Sequence, residues 1–347
     1  MQAIGQILLG LLVGPSVLGL IAHTVLAQHA AALGAIVLLF LIGLEFKLKD
    51  IFIFRYAVIA LGGVIVPWIG GYLTAKSFGY DFPSAVFTGT ALTATSIAIT
   101  ASVLKTMGKL HTDAAKAIIG AAVMDDVLGL LALSFSKQIV DGTFSTTAII
   151  LVAVKALLFV AAGIYLGKKV LSPLIERLDR TPVIFIAVMA AAFLYVWGAE
   201  TVHLSGVVGA FIAGISLGEA LAHRARSHGR GTELLHLIFG AVFFVSLGVL
   251  VDLHAVKAGI LPFLAALTAV AIATKFAGCF LAAKTQGFSV QDSAIIGFGM
   301  APRGEVAMIV GLIGLNQNLI TQEIYAAVIV MSLATTLLTP LVLRRLL

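Results

Sequence analysis

The sequence predicts an all-α polytopic membrane protein of about twelve spans arranged as an inverted-topology repeat, and three observations lead there. Apolar residues make up 61% of the 347 and charged residues only 11%, with a mean hydropathy of +1.12. The basic residues collect in alternate loops. Two segments near the start have counterparts in the second half of the chain.

A soluble domain carries roughly 25% charged residues, so this chain lacks the polar surface to coat a globule. Its apolar residues instead form runs of roughly 20, the length of a helix that crosses a bilayer. One cysteine, Cys279, excludes an internal disulfide and a cysteine metal cluster. The formal charge of +6 would point to nucleic acid in a soluble protein. Here the placement of charge matters more than its sum, and membrane lipid is the expected surrounding, with no nucleic-acid partner. The opening MQAIGQILLGLLVGPSVLGLI lacks the basic n-region of a signal peptide and reads as a structural helix.

The spans fall near 1–21, 31–47, 55–77, 84–106, 111–136, 146–170, 181–199, 203–221, 234–252, 257–284, 290–315 and 322–345. If loops alternate sides, the face holding Met1 has sixteen cations: Lys47, Lys49, Arg55, Lys105, Lys109, Lys116, Lys168, Lys169, Arg177, Arg180, Arg224, Arg226, Arg230, Lys284, Arg344 and Arg345. The other face has three, Lys76, Lys137 and Lys257. By the positive-inside rule the first face is cytoplasmic, which puts both ends of the chain inside and the protein in the cell membrane.

The repeat pairs GLLVGPSVLG (10–19) with AFIAGISLGE (210–219), matching Gly14 to Gly214 and Ser16 to Ser216. It also pairs VLLFLIGLEFKL (37–48) with VFFVSLGVLVDL (242–253), matching Gly43 to Gly248. Spans 1 and 2 thus correspond to spans 8 and 9. An offset of seven helices inverts the second copy, an architecture of many secondary transporters.

Six ionisable residues sit inside spans: Asp125, Asp126, Lys155, Lys275, Arg303 and Glu305. At about 2.5–3.5 kcal/mol each they cost on the order of 15 kcal/mol before pairing, which calls for a polar interior path. Asp125 and Asp126 are adjacent in GAAVMDDVLG, mid-span 5. Neighbours on a helix point about 100° apart, so one carboxylate can face an ion while the other faces a basic partner. Close carboxylates in a dry site cannot both ionise easily, and a group that takes a proton or a cation, but not both, exchanges them. The plainer alternative is a structural ion pair. The eight histidines fall mostly in loops or at span ends, and no pair has clear metal-ligand spacing.

In span 4, TALTATSIAITAS, the hydroxyls of Thr93, Thr95 and Ser96 are hard oxygen ligands suited to a small monovalent cation. Close helix packing would use the same small residues. No Pro or Gly between Ala91 and Ser102 forces a break there. In span 11, GFGMAPRGEV, Pro302 flanked by Gly299 and Gly304 does interrupt the helix and frees backbone groups. Arg303 and Glu305 beside it suit either a salt bridge or a transport role. Lys275 in span 10 needs an anion, and Asp125 is the natural candidate. Lys155 in span 6 has no evident partner.

TALTATSIAITASVLKTMGKL, GAAVMDDVLGL and GMAPRGEVAMIV, with LLGLLVGPSVLGLI and FLIGLEF, resemble the bacterial sodium/proton antiporters of the monovalent cation:proton antiporter-2 family. The likeness runs along essentially the whole chain. It implies that Asp126 binds proton and cation in turn and that Asp125 pairs with Lys275 in one state. Thr95 and Thr93 sit beside the ion. Spans 4 and 11 cross at unwound middles, their half-helix dipoles offset by Arg303 and Glu305. The implied organisation is a static scaffold and dimerisation part, about 1–54 and 181–256. A moving ion-transporting core covers about 55–145 and 257–347, with a linker helix at about 146–170. A homodimer is implied, no cofactor beyond the transported sodium or similar cation and the proton, no enzymatic activity, and electrogenic exchange. Family members usually have a further helix before span 1, often at the dimer interface, whereas this sequence begins at MQAIGQILLG. Potassium-efflux relatives have a nucleotide-binding domain after the last span, and none is expected in this chain.

The Asp-Asp pair does not fix the cation, so a potassium/proton antiporter of the same fold is the nearest alternative. A non-transporting membrane sensor subunit is another. An intramembrane aspartyl protease needs two aspartates facing each other from different helices, which neighbours on one helix cannot supply.

Overall fold

A computed structural model describes residues 2–21, 25–47, 51, 53–143, 145–178, 181–222, 229–249 and 258–347. Lys49, Arg180, Arg224, Arg226, Lys257, His23, His223, His228 and His254, which enter the charge and histidine readings, lie outside these residues. Among the described residues the structure is helical and has no strand.

The first half comprises α1 (Gln2–Val13), α2 (Val25–Gly43), α3 (Phe54–Ser77), α4 (Phe82–Ala91), α5 (Ile97–Thr106), α6 (Asp113–Asp141), α7 (Thr146–Leu166) and α8 (Ser172–Glu176). The second comprises α9 (Thr181–Thr201), α10 (Gly206–Ala222), α11 (Gly229–Val249), α12 (Leu261–Thr285), α13 (Val290–Gly299), α14 (Glu305–Asn316) and α15 (Gln322–Leu346). A π turn, Gly167–Leu171, joins α7 to α8.

Among the described residues six stretches are long and apolar enough to cross a membrane: α3, α6, the continuous 146–176 segment, most of α9, α12 and α15. Shorter apolar helices lie within α2, α5, α10 and α11. Side chains such as Leu157 and Leu158 on α7 and Leu194 and Trp197 on α9 stand exposed, as a hydrocarbon surrounding favours. Several helix starts carry side-chain caps. Thr112 accepts from the Ala115 amide, Asp81 from Ser84 and Thr321 from Ile324.

The first span is shorter as a helix than its hydropathy suggests. α1 stops at Val13, and residues 14–21 turn back on themselves. Pro15 disfavours helical backbone at Gly14, and Gly19 takes a left-handed φ of +62°. Amides of this turn bond back to Leu12, Val13 and Gly14.

Helix backbones touch at glycines. A Cβ on Gly43 of α2 would lie 2.5 Å from the Phe211 carbonyl and 3.1 Å from Gly214 Cα of α10. Gly10 of α1 meets Val245 and Gly248 of α11, and Gly14, just past α1, meets Val249. In α3 and α12, Gly62 and Gly278 abut each other's carbonyls. Such close approach replaces side-chain packing by direct backbone contact.

Two helices are interrupted. Residues 92–96 separate α4 from α5, and 300–304 separate α13 from α14. The second gap is the one Pro302 predicts. The first has no local cause in the sequence, and its reason lies in its partners.

Candidate functional site

The site forms where α6 passes the two interruptions. Asp125 and Asp126 sit mid-way along α6 and face different neighbours, as adjacent helical positions do. Asp125 is 1% exposed and faces α12. Its Oδ1 accepts from Lys275 Nζ at 3.0 Å.

Lys275 is fully buried, and the three N–H donors of its ammonium meet three acceptors. Besides Asp125 it reaches the Gly63 carbonyl of α3 and the Thr93 carbonyl in the first gap, each at 2.7 Å. Arg303, also fully buried, donates through Nη1 to the Ala94 carbonyl at 2.8 Å and through Nη2 to Ala271 at 3.2 Å. The two cations thus take up carbonyls that the break in span 4 leaves without helical donors. The gaps also bond to each other. Ser96 N–H donates to the Pro302 carbonyl at 2.9 Å. Thr100 Oγ1 donates to Gly299 at 2.6 Å and Thr95 Oγ1 to Met300 at 3.4 Å. The α15 hydroxyls of Thr335 and Thr336 serve the Arg303 amide and carbonyl. This is why residues 92–96 leave the helix without a Pro or Gly. The helical bonds given up at Thr93, Ala94 and Ser96 are replaced by bonds from distant parts of the chain.

Thr93 is buried, and its hydroxyl is occupied by the Thr90 carbonyl at 2.8 Å, so it is the Thr93 carbonyl that faces Lys275. Glu305 begins α14, but its side chain lies outside the described part, and so does the expected bridge to Arg303. Lys155 is exposed on α7, away from the site.

Asp126 is partly buried and lines a cavity of about 390 Å³. Its Oδ2 accepts the Ser205 amide at 3.1 Å, just ahead of α10. The walls are mostly apolar, with Leu130 and Leu133 of α6, Phe243 and Leu247 of α11 and Val306 of α14. The exposed residues Glu200 and His203 lie at its rim. At the other end of the bundle, Glu45 after α2 pairs with Lys105 of α5 at 2.5 Å, and His111 Nε2 lies 3.8 Å from the same carboxylate. Within the α3–α4–α6 packing, Trp68 Nε1 donates to Thr90 at 3.2 Å and Ser136 at 3.3 Å.

Sequence reasoning did not single out Ser205, Glu200, Glu45 or the Trp68 cluster. A Ser-Gly pair opening an apolar run is a helix-start signal and marks Ser205. Glu200 and Glu45 end apolar runs and look like ordinary solvated residues.

Chemically, the arrangement separates two carboxylates. One is held by a buried lysine. The other borders an accessible cavity, where a proton or a small cation can reach it. Among the described residues no group of three or more His, Cys, Asp or Glu is placed to hold a metal ion.

The family model described as sodium/hydrogen exchanger, transmembrane, matches residues 2–347. The Na(+)/H(+)-K(+) antiporter GerN of Bacillus cereus is 33% identical over 344 residues, covering 98% of this chain and 88% of that protein. The Na(+)/H(+) antiporter of Enterococcus hirae is 34% identical over 349 residues, covering 98% and 90%. The solved structure of the sodium proton antiporter MjNhaP1 from Methanocaldococcus jannaschii superposes with a TM-score of 0.72 at 20% identity, covering 98% of this chain and 89% of that one.

Proposed function

The chain belongs to the transmembrane sodium/hydrogen exchanger family, and from that premise we propose that it exchanges sodium or lithium for protons across the cell membrane, with Asp126 as the shared binding carboxylate. The observation behind this is the division of labour in α6: Asp125 is engaged by Lys275, while Asp126 borders the cavity. A cation arriving there displaces the proton, and a proton displaces the cation, because one carboxylate cannot hold both in a dry site.

Counting α4–α5, α7–α8 and α13–α14 as one span each, the helices among the described residues make twelve spans, the number this reading takes. The glycine contacts support an inverted repeat. Gly43 meets Gly214 between α2 and α10, and Gly248 meets Gly10 between α11 and α1, one helical turn before the Gly14 that the sequence correspondence pairs with it. The Ser96–Pro302 bond supports a crossing of spans 4 and 11 at their interruptions. In this reading 1–54 and 181–256 are the scaffold and the dimer contact, 55–145 and 257–347 the moving core, and 146–170 the link. Both ends face the cytoplasm. The cavity then opens outward, and the Glu45–Lys105 pair closes the cytoplasmic side. Alternating access exchanges these two closures. The name of the Bacillus cereus relative, which includes potassium, keeps a potassium/proton exchange as the second reading.

Proteoliposomes loaded with a pH-sensitive dye and challenged with sodium, lithium and potassium in turn test the proposal. Wild type responds to sodium or lithium, and Asp126→Asn inserts and folds but gives no exchange. Wild-type rates in that variant would exclude the assignment. On solid-supported membranes transport displaces charge, and transport without current would refute electrogenic exchange.

A further inference from the structure

We infer that Glu200 is a second carboxylate on the ion path, a waiting position for a monovalent cation between the outer solution and Asp126. This deepens the exchanger reading and rests on it.

The first observation is convergence. Asp126 meets the Ser205 amide, and a Cβ on the next residue, Gly206, would lie 3.0 Å from Glu200 Oε1. The two carboxylates therefore abut consecutive residues at the start of α10, one from α6 and one from α9. A side chain at Gly206 would push Glu200 out of this place.

The backbone explains how Glu200 comes to be there. α9 ends at Thr201, and the chain reverses in a tight turn where His203 takes φ +65°. The amides of Val202 and Leu204 return to the Ala199 carbonyl at 3.1 and 2.9 Å, and that of His203 to Glu200 at 3.0 Å. Ser205 Oγ accepts from Val207 at 3.2 Å and starts α10. The last turn of α9 is thereby laid against the first turn of α10, with Glu200 at the rim of the cavity and Asp126 on its wall.

The second observation is the chemistry of the lining. Asp126 and Glu200 supply its carboxyls, and no Lys or Arg is among the described residues that line it. Apolar walls around charges of one sign focus the field and raise the local concentration of counter-ions. An anion would be repelled from this cavity, and a cation crossing it meets Glu200 before Asp126.

The test uses the full chain in right-side-out and everted membrane vesicles, with initial exchange rates read against sodium concentration. In Glu200→Gln the half-saturating sodium rises about tenfold when sodium meets the 200–206 face, the low end of field-focusing effects. The maximal rate stays within about twofold, the shift shrinks when choline chloride is raised to screen charge, and Glu200→Asp restores most of the affinity. An unchanged half-saturation in Glu200→Gln, or a loss of maximal rate at unchanged half-saturation, overturns the inference. Wild-type vesicles without exchange would remove the exchanger reading and this inference with it, whereas active wild type with an indifferent Glu200→Gln removes this site alone.

Discussion

Replacing Lys275 by methionine isolates what the buried ammonium does. Its three hydrogen bonds, to Asp125 at 3.0 Å and to the Gly63 and Thr93 carbonyls at 2.7 Å each, all lie in the interior. Methionine fills similar space but donates nothing, so a carboxylate and two carbonyls are left without this partner. Breaking one side of a buried ion pair costs about 3–5 kcal/mol. The expense of holding a lysine at mid-membrane offsets little of this, because inserted but unpacked helices bear it too. At about 2 °C per kcal/mol for a chain of this size, the melting temperature falls by about 6–10 °C. The assay is fluorescence-detected size exclusion of detergent-solubilised protein after a temperature ramp. Adding Asp125→Asn to Lys275→Met removes the orphaned charge and supplies an amide donor, so the double variant recovers a large part of the loss. A single variant melting within about 2 °C of wild type would show that the ammonium does not hold this region. A double variant no better than the single would show that the stranded carboxylate is not the cause.

Two further outcomes follow from packing. Gly43→Val places methyls where a Cβ already meets the Phe211 carbonyl at 2.5 Å. Backbone cannot yield as a side chain does, so stability drops by about 1–3 kcal/mol or more, seen as a lower melting temperature, while a substitution at the open position Gly5 leaves it unchanged. Cys279 is fully buried against α3. The folded protein therefore resists a maleimide that labels it readily in denaturing detergent, and rapid labelling of native protein would contradict the α3–α12 packing.

Legibility differs between parts of the molecule for physical reasons. The helical, multi-span character is open to reading because hydropathy acts residue by residue along the chain. Asp125 and Lys275 stand out because charge in an apolar run demands a partner, and Pro302 because it cannot donate to a helix. Hydropathy overshoots the end of α1: the apolar run continues through Val17 and Leu20, but Gly14–Pro15 and Gly19 set the backbone. The gap at 92–96 is written elsewhere, since its stabilising donors come from Lys275 and Arg303, far along the sequence. Glu200 and Glu45 are silent in the sequence because only the fold shows what the end of one helix is laid against.

The two cations bonded to the gaps have a mechanical implication. Lys275 ties α12 to α3, α6 and the first gap, and Arg303 ties the second gap to the first and to α12. In the proposed exchange cycle, a core cross-braced through its middle has no soft point there and travels whole. The strain of any shift is then taken up at its margins, where the Ser205 amide touches Asp126 and an ion pair joins Glu45 to Lys105. Those couplings at the edge, more than the heavily bonded centre, would set how fast the machine turns over.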